Sequence, residues 1–376
     1  MRFPEFSGEW KKVKVSNLLD FYPTNSLSWE QLDYNNGQIK NLHYGLIHKG
    51  LPTMVDASFD TLPYIKEEIM PKLYTLFTEG DVAFADASED TNDVAKAIEI
   101  INCDSQQIVS GLHTIHGRDN SNQTIIGYKG YAFASKAFHK QIRRIAQGTK
   151  VFSISVRNFD EVYIGIPSKE EQAKIAKLLI AIDKRIASQN KIIEKLQSLI
   201  KGIAQNIVHR NKPNVRISQC LECSSSTLQE SDVLECGAYP VYGANGVVGF
   251  LDNYNTSNEA IYIIKDGSGV GAVSYVAGKC SATGTLNILQ AKKGFSLRYL
   301  YYLLNIFNFE PYKTGMAIPH IYFKDYGKAQ IFCPSYSEQL KYAKFLATID
   351  DKLLTEQNVL INLSLLKQYL LRQMFI

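Results

Sequence analysis

One long segment with a regular apolar repeat constrains the fold of this chain more than any other feature. Within residues 167–207, Ile and Leu recur at alternating steps of three and four, with one step of seven. The seam consists of Ile175, Leu179, Ile182, Ile186, Ile193, Leu196, Ile200, Ile203 and Ile207. Gln189 fills the step of seven, and Ser168 with Glu171 forms a capping-box pattern at the start. The heptad pattern predicts a coiled-coil helix roughly 57 Å long that needs a partner helix.

A second segment repeats this pattern 167 residues later, within 337–374. Pro167, Glu171, Gln172 and Asp183 are repeated as Pro334, Glu338, Gln339 and Asp350. The second seam contains Leu346, Ile349, Leu353 and Leu360, and Glu356 aligns with Gln189. The shared polar position is either coincidence or a device that fixes the register of two paired helices. The alignment extends upstream to Gly148 and Gly315, so the sequence predicts an internal duplication in which each half ends in a long helix.

Composition and charge restrict the class of protein. The chain has 376 residues, 45% of them hydrophobic, which is enough for two globular units and two long helices. No stretch approaches 18 apolar residues, and the first residues lack the apolar core of a signal peptide. The six cysteines are scattered, as is typical of a reducing compartment, and the Cys220/Cys223 pair lacks further ligands at zinc spacing. We therefore expect a cytoplasmic protein without a metal site.

The net charge of +4 is small, but basic residues are concentrated locally. Residues 129–157 contain seven Lys or Arg and no acid. Ser135 to Gln147 reads as an amphipathic helix that Gly148 ends. Such a run is either a solvated helix face or a surface for phosphates. We expect Lys136, Lys140, Arg143, Arg144 and Lys150 to contact the phosphates of a nucleic acid rather than its bases.

Signatures of catalysis are missing from the sequence. There is no Gly-rich loop leading into Gly-Lys-Ser/Thr, and the GxGxG at 267–271 lacks a following helix pattern. The Asn/Asp-Pro-Pro-aromatic motif of adenine methyltransferases is absent. Asp86, Glu89 and Asp90 lack the Glu-x-Lys that nucleases usually add. The sequence therefore predicts no catalytic residues and a role in binding.

The duplicated motifs resemble those of the DNA-specificity subunit of type I restriction–modification systems. The resemblance covers nearly the whole chain. It is carried by the Pro, Glu-Gln and Ile-Asp repeats and by HYGLIHKGLPT (43–53), FADASED (84–90), SGLHT (110–114), YPVYGANG (239–246), DGSG (266–269) and TGTLNI (283–288). This chain departs from the family pattern at Leu46, where Asp is frequent, and at Ala95, where Gly is frequent. These departures affect which DNA sequence the first unit would read. We also expect family members to be somewhat longer at the N-terminus.

The resemblance implies an α+β fold with two globular target-recognition domains joined by two long antiparallel coiled-coil helices. The expected ranges are a first domain at 1–167, a central helix at 168–211, a second domain at 212–334 and a C-terminal helix at 335–376. The helices would pair through Ile175, Leu179, Ile182, Ile186 and Gln189 on one side and Leu346, Ile349, Leu353, Glu356 and Leu360 on the other.

The resemblance also implies a function. Such a subunit reads a bipartite sequence in double-stranded DNA for two methyltransferase subunits and two motor-nuclease subunits. It binds no cofactor itself, and S-adenosylmethionine, ATP and Mg²⁺ belong to the partners. We expect further DNA contacts from His43, Tyr44, His48, Lys49, Asp86, Ser88, His113, Tyr242, Asn245, Asp266, Ser268, Thr283, Lys313 and His320. Two alternatives are a stand-alone nuclease, which DNA and Mg²⁺ would expose, and a coiled-coil adaptor that never touches DNA.

Overall fold

The computed structural model describes residues 1–315 and 318–375. The chain divides into two compact units. The first unit comprises Met1–Ser188 with Leu360–Ile376, and the second comprises Gln189–Val359. Each unit therefore contains the beginning of one long helix and the end of the other. Met316 and Ala317, in the segment before the second helix, lie outside the described residues.

The first unit is a mixed α/β structure. Its strands are β1 (Lys11–Lys14), β2 (Asp20–Tyr22), β3 (Leu32–Asp33), β4 (Ile39–Leu42), β5 (Met54–Asp56), β6 (Tyr64–Ile65), β7 (Val82–Ala85), β8 (Ala87–Ser88), β9 (Ala97–Asn102), β10 (Gln107–Ser110), β11 (Thr114–Arg118), β12 (Phe152–Ser153) and β13 (Tyr163–Ile166). Its helices are α1 (Val15–Leu18), α2 (Tyr44–His48), α3 (Lys129–Phe133) and α4 (Lys136–Ile145), followed by the long α5 (Lys169–His209).

The main sheet of the first unit has the strand order β2-β11-β7-β9-β5. All four residues of β7 are buried, as a central strand covered on both faces requires. Phe84 of β7 packs against Phe133 and Phe138 of the neighbouring helices. A second sheet, β10-β4-β6-β3, and the pairs β1-β13 and β12-β8 complete the unit. Residues 42–47, which alternate like a strand, instead end β4 and begin α2, because the side chain of His43 caps that helix.

The second unit follows the same plan with fewer strands. Its strands are β14 (Val215–Arg216), β15 (Leu221–Ser225), β16 (Tyr239–Gly243), β17 (Gly246–Leu251), β18 (Ala260–Ile264), β19 (Val273–Val276), β20 (Ser281–Ala282), β21 (Leu286–Ala291) and β22 (Gln330–Ile331). Its helices are α6 (Ile217–Cys220), α7 (Leu297–Ile306), α8 (Phe323–Tyr326) and the long α9 (Tyr336–Gln373). The order β15-β21-β18-β19 matches β2-β11-β7-β9 of the first unit.

The two long helices run antiparallel within each unit, which confirms the predicted fold class. In the first unit, Lys367 of α9 pairs with Asp183 of α5 at 2.6 Å, and Leu370 joins a core cluster with Leu179. In the second unit, Gln189 donates to Glu356, and Ile207 shares a cluster with Ala343. The apolar seam residues Ile175, Leu179, Ile182 and Leu346 are buried, and Ile186, Ile349, Leu353 and Leu360 are half-buried.

The repeated Gln and Asp of the sequence attach each globular unit to its own helix. Gln172 is buried and accepts a hydrogen bond from the Ile125 N–H at 2.9 Å. Gln339 is buried likewise and accepts from the Ser296 N–H at 2.9 Å. Because both glutamines also donate to a proline carbonyl at the helix start, each fixes the angle between helix and unit.

The repeated Asp makes a second attachment about three helical turns further along each long helix. The carboxylate of Asp183 accepts a hydrogen bond from the Tyr131 hydroxyl at 2.8 Å. Asp350 accepts one from the Tyr302 hydroxyl at 3.2 Å and another from Arg298 at 3.0 Å. The Glu-Gln and Ile-Asp repeats therefore mark the junction of unit and helix.

In the described part of the chain, no helix is both long enough and apolar enough to cross a lipid bilayer.

Candidate DNA interface

Four predicted residues of the first unit meet in one polar cluster, which we name the first-unit cluster: Tyr44, His48, Asp86 and His113. The Tyr44 ring makes edge contacts with His113 and His48, at centroid distances of 5.2 and 5.8 Å. Nδ1 of His113 lies 3.0 Å from the Asp86 carboxylate. Nε2 of His48 lies 2.9 Å from the Ala87 carbonyl oxygen. Three chain segments that are distant in sequence therefore present their polar side chains together.

Local geometry explains why these residues converge. Asp86 follows the central strand β7, and its N–H donates to the His113 carbonyl at 3.0 Å. His113 has φ 53°, so the chain turns sharply there before β11. The pKa of Asp86 is raised, because the effect of burial is larger than the opposite effect of the neighbouring His113. Ser88 is half-buried on the adjacent β8, and Lys49 is exposed at the end of α2.

His43 does not belong to the exposed surface, contrary to expectation. It is buried, and its Nδ1 accepts the Gly45 N–H at 3.1 Å to cap α2. Burial, with a contribution from His113, lowers the pKa of His43 to about 4. The ring is therefore neutral near pH 7, as its role as an acceptor requires. Direct base contact by His43 is not compatible with this position.

Trp29 is a candidate that the sequence did not single out. Its indole lies over the His43 ring with a centroid distance of 4.2 Å, and 44% of the residue remains exposed. Aromatic residues held by packing yet open to solvent are frequent in binding surfaces. His43 stacks on Tyr44 and so connects Trp29 to the first-unit cluster, and no spacing in the sequence indicates the Trp29–His43 pairing.

The predicted basic residues form one exposed face beside this cluster. Phe138 and Ile142 bury the inner side of α4, and the side chain of Ser135 caps its start. Lys136, Lys140, Arg143, Arg144 and Lys150 are all exposed. Lys129, which belongs to the same acid-free run, is instead buried against Glu99 at 3.3 Å.

Two contacts place this basic face next to the first-unit cluster. Arg143 donates to the Asn92 side chain at 3.0 Å, in the loop that follows Ser88. Lys150 lies in a hairpin closed by bridging Gln147 and Ser153, and Ser153 pairs with Ala87. Phosphate-binding and base-reading groups would therefore be neighbours in the first unit.

The second unit brings its own candidates together along a chain of contacts. The Asp266 carboxylate lies 2.6 Å from Nδ1 of His320. The Lys265 N–H, one residue earlier, donates to the Thr285 carbonyl at 3.0 Å. Thr283 is buried, with its hydroxyl 2.8 Å from that of Thr285. Its side chain is therefore not accessible for the base contact that the sequence predicted. Its N–H donates to the Tyr242 carbonyl at 2.9 Å.

Of the remaining candidates of the second unit, Asn245 and Ser268 lie in turns, whereas Tyr242 lies on β16. Asn245 and Ser268 are exposed, and Tyr242 is half-buried with its ring edge toward Tyr262. Burial raises the pKa of Tyr242. Lys313 pairs with Glu310 at 2.6 Å on the surface. Exposed ion pairs of this kind are weak, so Lys313 can exchange its partner for a phosphate at small cost.

The described residues contain no cluster of side chains that could bind a metal ion. No group of three or more His, Cys, Asp or Glu side chains is placed there to hold a metal ion. Cys220 is buried and points toward Cys333, with the two sulfur atoms 3.9 Å apart. The Cys220/Cys223 pair therefore does not act as a chelating pair in this structure.

Comparison with known proteins identifies the family. A family model for the type I restriction modification DNA specificity domain matches residues 7–198 and, again, residues 214–363. The chain belongs to this family. It is a non-catalytic DNA specificity subunit of a type I restriction–modification system, and the two matches correspond to the duplication seen in the sequence.

Individual relatives agree with this assignment. The specificity subunit is 24% identical over 267 residues to a type I specificity subunit of Mycoplasma genitalium, covering 65% of this chain and 69% of the relative. It is 25% identical over 129 residues to the EcoprrI specificity subunit of Escherichia coli, covering 34% of this chain and 31% of that relative.

Solved structures agree on the fold. The crystal structure of a type I S subunit from M. genitalium superposes with a TM-score of 0.64 at 17% identity, covering 100% of this chain and 99% of that one. A chain from a study of assembly and conformational transition in a type I system gives a TM-score of 0.56 at 15% identity, covering 98% and 97% of the two chains.

Proposed function

We propose that this specificity subunit reads a bipartite DNA sequence, with one half-site contacted by each globular unit. Partner subunits, directed to this DNA sequence, would methylate adenine and, with ATP, cleave DNA. The duplication is the observation that carries the proposal. Each unit has its own sheet, its own polar loop cluster and its own junction with a long helix. Since the two clusters differ in sequence, the two half-sites should differ as well.

The arrangement of basic residues beside the first-unit cluster supports this proposal. The exposed Lys and Arg of α4 are neighbours of the first-unit cluster, as a surface that follows a DNA strand and reads base edges requires. The chain itself would bind no cofactor. S-adenosylmethionine, ATP and Mg²⁺ would be held by two methyltransferase and two motor-nuclease subunits in the cytoplasm.

An exposed apolar face on α9 supports docking of partner subunits. Within the first unit, Ile361, Leu365 and Tyr369 are 56%, 58% and 45% exposed. Apolar residues clustered on a surface often mark a protein interface. We expect Ile361→Lys with Leu365→Lys to abolish co-purification with the methyltransferase subunit. Asn362→Lys adds charge at a neighbouring exposed position and serves as the matched control, which should co-purify normally.

Methylome sequencing is the experiment that tests the proposal. A host carrying this subunit with its methyltransferase should show adenine methylation in one split motif. Exchanging residues 1–150 for those of another family member should change one half of the motif and leave the other. A continuous motif, or a change in both halves, would contradict independent reading. The purified subunit alone should neither cut nor methylate DNA above a mock preparation.

A further inference from the structure

Each unit places one histidine–aspartate pair on its candidate surface. In the first unit, Nδ1 of His113 is 3.0 Å from Asp86, and the two side chains are 50% and 28% exposed. In the second, Nδ1 of His320 is 2.6 Å from Asp266, and both side chains are 35% exposed.

The aspartates occupy almost the same place in the two sheets. The carbonyl of Asp86, directly after the central strand β7, accepts the Ile154 N–H at 2.9 Å. The carbonyl of Lys265, directly before Asp266, accepts the Ile321 N–H at 2.9 Å after β18. The two carboxylates are therefore one residue apart in the shared topology.

The histidines, in contrast, come from different segments. His113 lies in the turn before β11. His320 bridges Asp266 from the segment that leads to the second long helix. The same pair is thus built in two ways. Because exposed ion pairs contribute little to stability, folding alone does not account for its presence in both units.

The hydrogen bond within each pair determines whether the free ring nitrogen of the histidine can accept a hydrogen bond from DNA. An ionised carboxylate can only accept a hydrogen bond, so Nδ1 must donate to it. In the neutral imidazole the other nitrogen, Nε2, then carries a lone pair. Neither Nε2 has a hydrogen-bond partner among the described residues. An acceptor in the major groove recognises the exocyclic amino group of adenine or cytosine, because these are the donors that bases present there.

We propose that His113 and His320 are specificity-determining residues, each accepting a hydrogen bond at Nε2 from the exocyclic amino group of an adenine or cytosine. His113 acts in one half-site and His320 in the other. Asp86 and Asp266 are positioning residues that hold the tautomer. This inference rests on the proposed function, because it requires each unit to read one half-site.

Methylome sequencing of His113→Ala and His320→Ala complexes provides the first test. Each variant should relax one base pair of the motif, in opposite halves. His209→Ala removes an exposed histidine at the end of α5 and is the matched control, which should leave the motif unchanged. A split wild-type motif that both variants retain in full would overturn the inference alone. A wild-type complex without a split motif would overturn the proposed function itself.

Modified DNA tests the same contact by changing the base while the wild-type protein is kept. At the relaxed position, the amino-bearing base is replaced by an analogue without that group: purine for adenine, or pyrimidin-2-one for cytosine. The wild-type methyltransferase complex should bind this DNA about tenfold more weakly, the size expected for one base contact. The His113→Ala complex should bind both DNAs equally in its half-site. Equal binding of both DNAs by the wild type would refute an acceptor at Nε2.

Discussion

The two units share a sheet plan but bury different polar chemistry. Outside the long helices, the first unit encloses charged or titratable groups: Lys40, His43, Asp81, Glu99, His116 and Lys129. The buried polar residues of the second unit outside the long helices are neutral: Thr256, Ser281, Thr283, Asn287 and Ser296. A buried charge is stable only while its partners are in place, whereas a buried hydroxyl or amide tolerates more. The first unit should therefore be the more sensitive to substitution and to pH.

A residue that is repeated in both halves of the sequence can also make different contacts in the two units. Glu171 is buried and forms an ion pair with Arg2 at 2.6 Å. Glu338, its counterpart, is exposed, and its carboxylate accepts hydrogen bonds from the Ser335 hydroxyl at 2.6 Å and from the Ser335 N–H at 3.2 Å. The predicted capping box at Ser168 is thus only half formed, because the carboxylate of Glu171 faces Arg2 instead. The repeated Gln, in contrast, accepts from a backbone N–H of its unit and donates to a proline carbonyl in both units.

Glu99→Ala should have the largest effect and be confined to the first unit. The carboxylate accepts the Gly127 and Gly130 N–H groups at 2.9 and 2.8 Å and pairs with buried Lys129. Its removal leaves a buried charge unpaired and should cost about 3–5 kcal/mol of unfolding free energy. Both tryptophans, Trp10 and Trp29, lie in the first unit, so their fluorescence during urea unfolding reports on this unit.

The matched control for Glu99→Ala lies in the second unit. Asn287→Ala removes a neutral buried hydrogen bond to the Tyr326 hydroxyl and should cost about 1–2 kcal/mol. Amide hydrogen exchange in β18 and β21 would report this loss, while the tryptophan transition stays in place. Equal costs for the two variants would show that buried charge does not distinguish the units.

Acidification should destabilise the first unit before the second. Burial lowers the pKa of His43 and of His139 to about 4, below the ordinary value of about 6.5 that applies after unfolding. The unfolded chain therefore takes up protons first, and stability falls as the pH drops from about 7 toward 4. We expect the tryptophan-detected melting temperature to fall by about 3–5 °C between pH 7 and pH 5.5.

Substitution of these two histidines identifies the source of that pH dependence. The double variant His43→Gln with His139→Gln should be less stable at pH 7 but should lose less on acidification. His320→Gln, at an exposed position of the second unit, should leave the tryptophan transition unchanged at both pH values. A pH response that persists in full in the double variant would assign it to other groups.

Substitutions at the buried contact between Gln189 and Glu356 of the two long helices should change the unfolding free energy less, and their effects should be coupled. Gln189 is buried and donates to the Glu356 carbonyl at 3.0 Å and to its carboxylate, which also pairs with Lys352. Gln189→Leu should destabilise by about 1–3 kcal/mol, because the carboxylate loses a donor. The double variant with Glu356→Leu should recover most of that loss. A double-mutant cycle without coupling would show that the two residues act separately.

The smallest effect on stability should come from the basic face of α4. Lys140→Ala with Arg144→Ala changes exposed residues and should leave the unfolding free energy within about 0.5 kcal/mol of the wild type. In the methyltransferase complex, however, the slope of log affinity against log salt should flatten by roughly 1–2 units. The methylated motif should not change. An unaltered slope would mean that this face is simply solvated.

The sequence predicted the long helices well because their signal is local and periodic. The apolar seam and the junction residues Gln172 and Asp183 recur at fixed spacing, and each spacing corresponds to one contact in the structure. The helix α4 and its exposed basic residues were predicted for the same reason. The burial of Lys129 was not, since its partner Glu99 lies on a strand thirty residues earlier.

The candidate surface was predicted only as a set of separate residues. Nothing in the spacing of Asp86 and His113, or of Asp266 and His320, indicates that they pair, because tertiary folding brings them together. The motif at 43–53 predicts that His43 contacts bases, yet its backbone position makes it a helix cap. Ala95 adopts φ 57°, a conformation that favours glycine, which gives a physical reason for Gly at this place in the family pattern.

Residues 370–375 complete the first unit. Leu370, Met374 and Phe375 belong to its main core cluster, and Phe375 contacts Trp10 and Tyr128 at centroid distances of 6.4 and 5.8 Å. During synthesis, domains usually fold in the order in which they leave the ribosome. Here the N-terminal unit must wait with an open core until residues 370–375 have left the ribosome. A premature stop codon before residue 370 would consequently damage the unit that was made first.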